Sequence, residues 1–91
     1  MASITTGIYR HYKGNLYFVY SVARHSESEQ SLVVYRCLYG RYDLWVRPLD
    51  MFTGTVDVNG EPVPRFSFVR SVNLEEQTDL LTLTSTPSIT Q

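Results

Sequence analysis

The sequence predicts an all-β protein: a small SH3-like barrel of about five strands with one 3₁₀ turn, followed by a C-terminal tail. Three observations carry that expectation. Tyr, Val, Phe and Trp dominate the apolar segments, and these residues suit the pleated, half-buried surface of a strand. Turn formers interrupt those segments roughly every eight to twelve positions, the spacing of short strands joined by hairpins. The chain has 91 residues, 43% hydrophobic and 19% charged, which fits one core and is too apolar for a disordered chain.

Taken in order, GIYRHYK is a first strand closed by the Gly14-Asn15 turn. Leu16 to Arg24 is a second, placing Leu16, Phe18, Tyr20 and Val22 on one face and Tyr17, Val19, Ser21 and Ala23 on the other. HSESEQS is a polar loop, and SLVVYRCLYG is a central strand ended by Gly40. LWVR is the next strand, with Leu44 and Val46 expected inward and Trp45 opposite; Pro48 stops it. PLDMF is long enough for a single 3₁₀ turn, capped by Asp50 and anchored by Met51 and Phe52. TVDV and RFSFV close the body through the Asn59-Gly60 turn and a stiff Pro62-Val63-Pro64 return. An OB-like barrel would need a longer helix.

Charge divides the chain into a body over residues 7–70 and a tail over 71–91. All eight basic residues lie in the first 70 positions, which are +2, whereas Glu75, Glu76 and Asp79 make the tail −3. The end of the tail, TLTSTPSITQ, lacks aromatics, so we expect the tail to be partly disordered. Its NLEEQTDLLTL segment is the exception: a short helix or strand that packs its leucines on the body or on a second copy. A net charge of −1 argues against general coating of DNA or RNA. A lone Cys37 with no CxxC or HxxxH spacing offers neither a disulfide nor a metal cage, which points to the cytoplasm and to no cofactor. MASITTGIYR has neither a long apolar core nor a basic leader, and no apolar run approaches the roughly 18 residues of a membrane span, so we expect neither secretion nor membrane insertion.

The segments GIYRHYKGN, VARHSE, LVVYRCLYG, LWVRPLDMF and VPRF, in this order over roughly residues 7 to 69, resemble the bacterial family catalogued as domain of unknown function 1653. The resemblance implies an SH3-like barrel. It brings no activity, substrate or catalytic residue, and residues 71–91 lie beyond it.

The same motifs hold the candidate binding residues: Arg10, His11 and Tyr12; Arg24; Tyr35 and Arg36; Trp45 and Arg47. Arginine offers a planar fork to phosphate or carboxylate, and Tyr or Trp a face for stacking. Converging on one surface, these residues would form a module for a nucleotide, an RNA segment or a peptide. As scaffold, Arg36 and Arg47 would instead pair with Asp43, Asp50 or Glu61, and Trp45 would cover the core. The alternative function is a structural or homo-oligomerisation domain without a small ligand, a symmetric homodimer burying the aromatic face and residues 74–83. No catalytic set emerges: His11 and His25 lie on different elements, and Ser26 and Ser28 beside His25 suit a loop cap better than a nucleophile. Cys37 reads as a small buried hydrophobe.

Overall fold

A computed structural model describes residues 4–82 of the chain. Strands β1 (Gly7–His11), β2 (Leu16–Arg24), β3 (Ser31–Cys37) and β4 (Leu44–Pro48) form an antiparallel meander. A one-turn helix α1 (Leu49–Phe52) and a hairpin of β5 (Thr55–Val58) and β6 (Glu61–Pro64) follow. Strand β7 (Phe66–Arg70) then returns to pair with β1, and helix α2 (Leu74–Thr82) ends the described chain. The main sheet runs β4-β3-β2-β1-β7, and β5-β6 is a separate two-stranded sheet.

The all-β expectation therefore holds in its coarse form, with corrections. The sheet is open: β4 and β7 are its edges, and the hairpin between them pairs with itself instead of bridging them. α1 is α-helical, not 3₁₀, because the Thr53 N–H and hydroxyl both donate to the Leu49 carbonyl four residues back (2.9 and 3.0 Å). Asp50 makes no capping bond, and Leu49 and Phe52 anchor the turn while Met51 is exposed. The stiff Pro62-Val63-Pro64 return is a strand. The two-residue Asn59-Gly60 turn makes Val58 and Glu61 the first hydrogen-bonded pair, so both prolines fall where the missing N–H would point outward.

Alternation gives the main sheet two apolar faces. One carries Tyr9, Tyr17, Val19, Val33, Tyr35 and Cys37, packed with Leu49, Phe52 and Phe66 into the core. The other buries Ile8, Phe18 and Arg36. In β2, Val19 faces Tyr35 and Ser21 faces Val34, which leaves Tyr20 as an extra, bulged residue. The expected alternation breaks there, and Val22 pairs with Val33 on the face of Val19. In β4 the expectation is inverted. Trp45 pairs with Tyr35 and shares the core face, while Leu44 and Val46 point the other way and are exposed.

The loop after β2 closes on His25, whose Nδ1 accepts the N–H groups of Glu27 (3.1 Å) and Ser28 (3.3 Å). At the other end of the chain, the Asn73 side chain caps α2 by accepting the Glu76 N–H (2.7 Å). The helix is tied to the sheet by Arg70–Glu76 (2.7 Å) and by Arg36, which donates to the Leu81 carbonyl (3.3 Å). No α2 residue is fully buried: Leu80 and Leu81 are half-buried and Leu74 is 78% exposed. Leu83 and the expected disorder of the end of the tail lie outside the described residues.

Gly7 sets the approach of β1 to β7. Its φ of 143° suits glycine, and a Cβ there would collide with the Arg70 carbonyl. We expect Gly7→Ala to lower stability by about 1–3 kcal/mol, read as a fall in the urea midpoint at constant m value.

Candidate functional site

Phe66 opens β7 and lies under the most crowded part of the core face. Its ring stacks on Phe52 of α1 (4.0 Å, 4°) and takes edge contacts from Tyr17 (5.4 Å) and Tyr35 (5.9 Å). These four rings make an aromatic floor. Around it the strand pairings gather basic side chains. Arg47 of β4 pairs with Val33 on this face, sets its guanidinium 5.7 Å from the Phe66 ring centroid and donates from Nε to the Tyr35 hydroxyl (3.3 Å). His11, at the end of β1, pairs with Phe66 and packs against its ring at 5.0 Å.

The turn after β1 and the link before β7 complete the rim. The Tyr12 ring lies on His11 (4.6 Å), and Lys13 Nζ sits 5.8 Å from the Tyr12 ring. The Arg65 carbonyl accepts the Tyr12 N–H (2.9 Å), and the Arg65 N–H donates to the Gly54 carbonyl (3.0 Å), which fixes this residue beside Phe66. Its Nε is buried and makes no hydrogen bond. Trp45 stands edge-on to Tyr35 (6.2 Å) and is 44% exposed, and Tyr39 meets Tyr17 hydroxyl to hydroxyl (2.9 Å).

The electrostatics are one-sided. Burial and then the positive charges of Arg47, Arg65 and Lys13 hold the His11 pKa below its ordinary 6.5. His11 Nδ1 accepts the Lys13 N–H (3.1 Å), so the neutral ring carries its proton on Nε2 as a free donor. Among the described residues the ion pair is Arg70–Glu76, remote from this rim, and the expected partners Asp43, Asp50 and Glu61 form none with Arg36 or Arg47. Cys37 lies buried beneath, its thiol pKa raised chiefly by burial.

The expected group divides. His11, Tyr12, Tyr35, Trp45 and Arg47 come together, joined by Arg65, which sequence reasoning missed. The anticipated convergence of Arg10 and Arg36 with them is corrected by the sheet pairing. Arg36 faces Phe18 and Leu44 on the opposite side, is 2% exposed, and donates to the carbonyls of Tyr42 (3.0 Å) and Leu81. Arg10 pairs with Leu16 and Ser67 on that same side and reaches the Gly14 carbonyl at 3.4 Å. Arg24 closes the far end of β2, about 20 Å along the strand from Tyr17. Two concavities, one along the β5-β6 hairpin at Thr55, Asp57 and Pro62 and one beside α1 at Gln30, Asp50 and Thr53, hold no cation.

Comparison with known proteins agrees with this architecture. Residues 7–68 match the model of a family described as protein of unknown function, DUF1653. The chain is similar to a crystal structure of a protein belonging to that family from Bordetella bronchiseptica, with 38% identity and a TM-score of 0.70, over 78% of this chain and 94% of that one. No curated protein matches the chain.

Floor and rim should separate in stability. Phe52→Ala should cost about 3–5 kcal/mol and Trp45→Ala about 1–2 kcal/mol, measured by urea unfolding, because only the first ring is fully buried. His11 has a further signature. Its folded pKa lies below the unfolded one, so its contribution is present above pH 6.5 and is lost as pH falls from there through the folded value. NMR titration of the His11 ring should give a midpoint below 6.5, and His11→Gln should flatten the decline of stability over that window.

Proposed function

The chain belongs to the DUF1653 family, proteins of unknown function, and we propose that it is a binding module for a short single-stranded nucleic-acid segment. The observation that carries this reading is a pair of cations, Arg47 and Arg65, beside the neutral ring of His11, without a carboxylate partner among the described residues, on an aromatic floor. Unpaired arginines beside exposed rings suit a ligand that alternates phosphates with flat bases.

In this reading, Arg47 and Arg65 take phosphate oxygens, and neutral His11 donates from Nε2 to a phosphate or a sugar hydroxyl. Trp45 and Tyr12, both partly exposed, supply faces for base stacking. Two exposed rings, Trp45 and Tyr12, offer faces to successive bases, which favours a strand over a single free nucleotide. The small number of cations fits a few phosphates, in keeping with a chain whose net charge is −1. The strand order β4-β3-β2-β1-β7, with a helical turn directly after β4, supports the finer reading of the fold as SH3-like. The lone Cys37 supports a cytoplasmic setting.

Fluorescence anisotropy with a labelled oligouridylate tests the proposal. Binding should weaken with salt, Arg47→Ala and Arg65→Ala should each reduce the salt slope by about 0.7, and Trp45→Ala should weaken binding at every salt concentration. Absence of oligouridylate binding at low salt would reject the proposal.

A further inference from the structure

β4 is an edge strand without a bulge. Its register with β3 is regular from Leu44 to Pro48, and Leu44, Trp45 and Val46 are all exposed, Val46 at 60%. The other edge, β7, is interrupted where Ile8 pairs with Arg70 and Tyr9 with Phe68, so Val69 is an extra residue there. A bulge of this kind is a usual protection of a sheet edge. β4 has no such protection.

The hydrogen-bond parity of β4 follows from one bond. The Cys37 N–H donates to the Asp43 carbonyl (2.9 Å), so in this register the backbone groups of Trp45 and Arg47 face β3. Those of Leu44 and Val46, and the Pro48 carbonyl, therefore face outward. Pro48 has no N–H to offer, but it sits at the end of the strand and its carbonyl is free to accept.

We propose that β4 pairs antiparallel with β4 of a second copy about a two-fold axis at Val46, joining the two sheets into one. Val46 then exchanges both backbone hydrogen bonds with its own counterpart, and each Leu44 N–H donates to the Pro48 carbonyl of the other copy. The pairing is self-complementary in its side chains. Trp45 falls opposite the second copy's Arg47 in a non-hydrogen-bonded pair, the kind whose side chains approach most closely. Each exposed indole thus packs along the stem of the second copy's Arg47, whose guanidinium lies over its own Phe66, once on either side of the axis. Because Trp45 and Arg47 lie on the core face, the second copy contributes its Trp45 to the rim of each basic site. The two sites become one surface. An isologous pairing closes, whereas β4 on β7 would run head to tail without closing. The association needs no ligand.

Sedimentation equilibrium of the full chain in nucleic-acid-free buffer should show mass rising with concentration from 10.5 kDa towards twice that value. Val46→Pro removes only an outward N–H and should stay monomeric, while Val46→Thr keeps that N–H and should still pair. Circular dichroism and urea midpoints establish that each variant is folded. Should Val46→Pro unfold, hydrogen exchange on the unmodified protein decides: the Leu44 and Val46 amides should be protected at high concentration and exchange freely on dilution. A monomer at all concentrations overturns the proposal, as does a dimer that survives in folded Val46→Pro or leaves those amides unprotected. Oligouridylate binding by a monomeric chain would leave the proposed function intact, and a dimer that binds no oligouridylate would leave the pairing intact.

Discussion

The stack of Phe66 on Phe52 is the contact on which both the fold and the site depend. It joins the first residue of the last strand to the helical turn after β4, and through its other neighbours it reaches β1, β2 and β3. Five strands in an open sheet have two edges to manage and one core face to cover. Four residues of helix cannot do the covering alone. With Phe66 folded against Phe52 the two ends of the sheet are held over a common floor, and that floor has room above it for long side chains. His11 reaches that room from the end of β1 and Arg47 through its long side chain from the level of Val33.

Two arginines of neighbouring strands show how the sheet assigns roles. Arg36 and Arg47 have the same chemistry and nearly the same depth in sequence. Arg36 lies on the side covered by α2 and is taken up by two carbonyls, one from the turn before β4 and one from the C-terminal end of α2, where a cation is favoured. Its fork is largely consumed by the fold, although Nε finds no partner. Arg47 lies on the aromatic side, gives one bond to a phenol, and retains its terminal nitrogens. Position relative to the pleat, rather than residue type, separates a fork fastened by the fold from one whose terminal nitrogens are retained.

Much of this was legible in the sequence, and the failures share a cause. The strands from β1 to β5 and β7, the Gly14-Asn15 and Asn59-Gly60 turns and the Pro48 stop follow from local chemistry, which a sequence carries directly. His11, Tyr12, Tyr35, Trp45 and Arg47 were legible as a basic and aromatic set. Which face each belongs to was not, because both faces of β2 and β3 are apolar and alternation alone does not mark the inner one. Local pattern therefore groups Arg10 and Arg36 with residues that the sheet sets on the other side, and places Leu44 and Val46 inside although they are exposed. Arg65 was passed over because it stands between prolines and a strand, in a stretch that looked like a return. Its signal was the ring that follows it: an arginine next to an inward Phe at the mouth of a strand is carried to the border of the core. The closed barrel failed for a different reason. Closure is a long-range pairing of edges, and no local pattern encodes whether a hairpin will bridge them or pair with itself.

The bulge at Tyr20 bears on how chains of this kind can change in length. In a regular strand the loss of one residue turns every later side chain to the wrong face, so a deletion is felt along the whole ladder. Tyr20 is the residue that the partner strand does not count: Val19 and Ser21 already face consecutive residues of β3. A chain lacking Tyr20 would keep Val22 against Val33 and lose only the stack of that ring on Phe18 (5.9 Å, 22°). A one-residue gap at this point of β2 is thus the natural place for relatives to differ in length while keeping the same core, and an alignment that forces the gap into a neighbouring turn would misassign the faces of the strand.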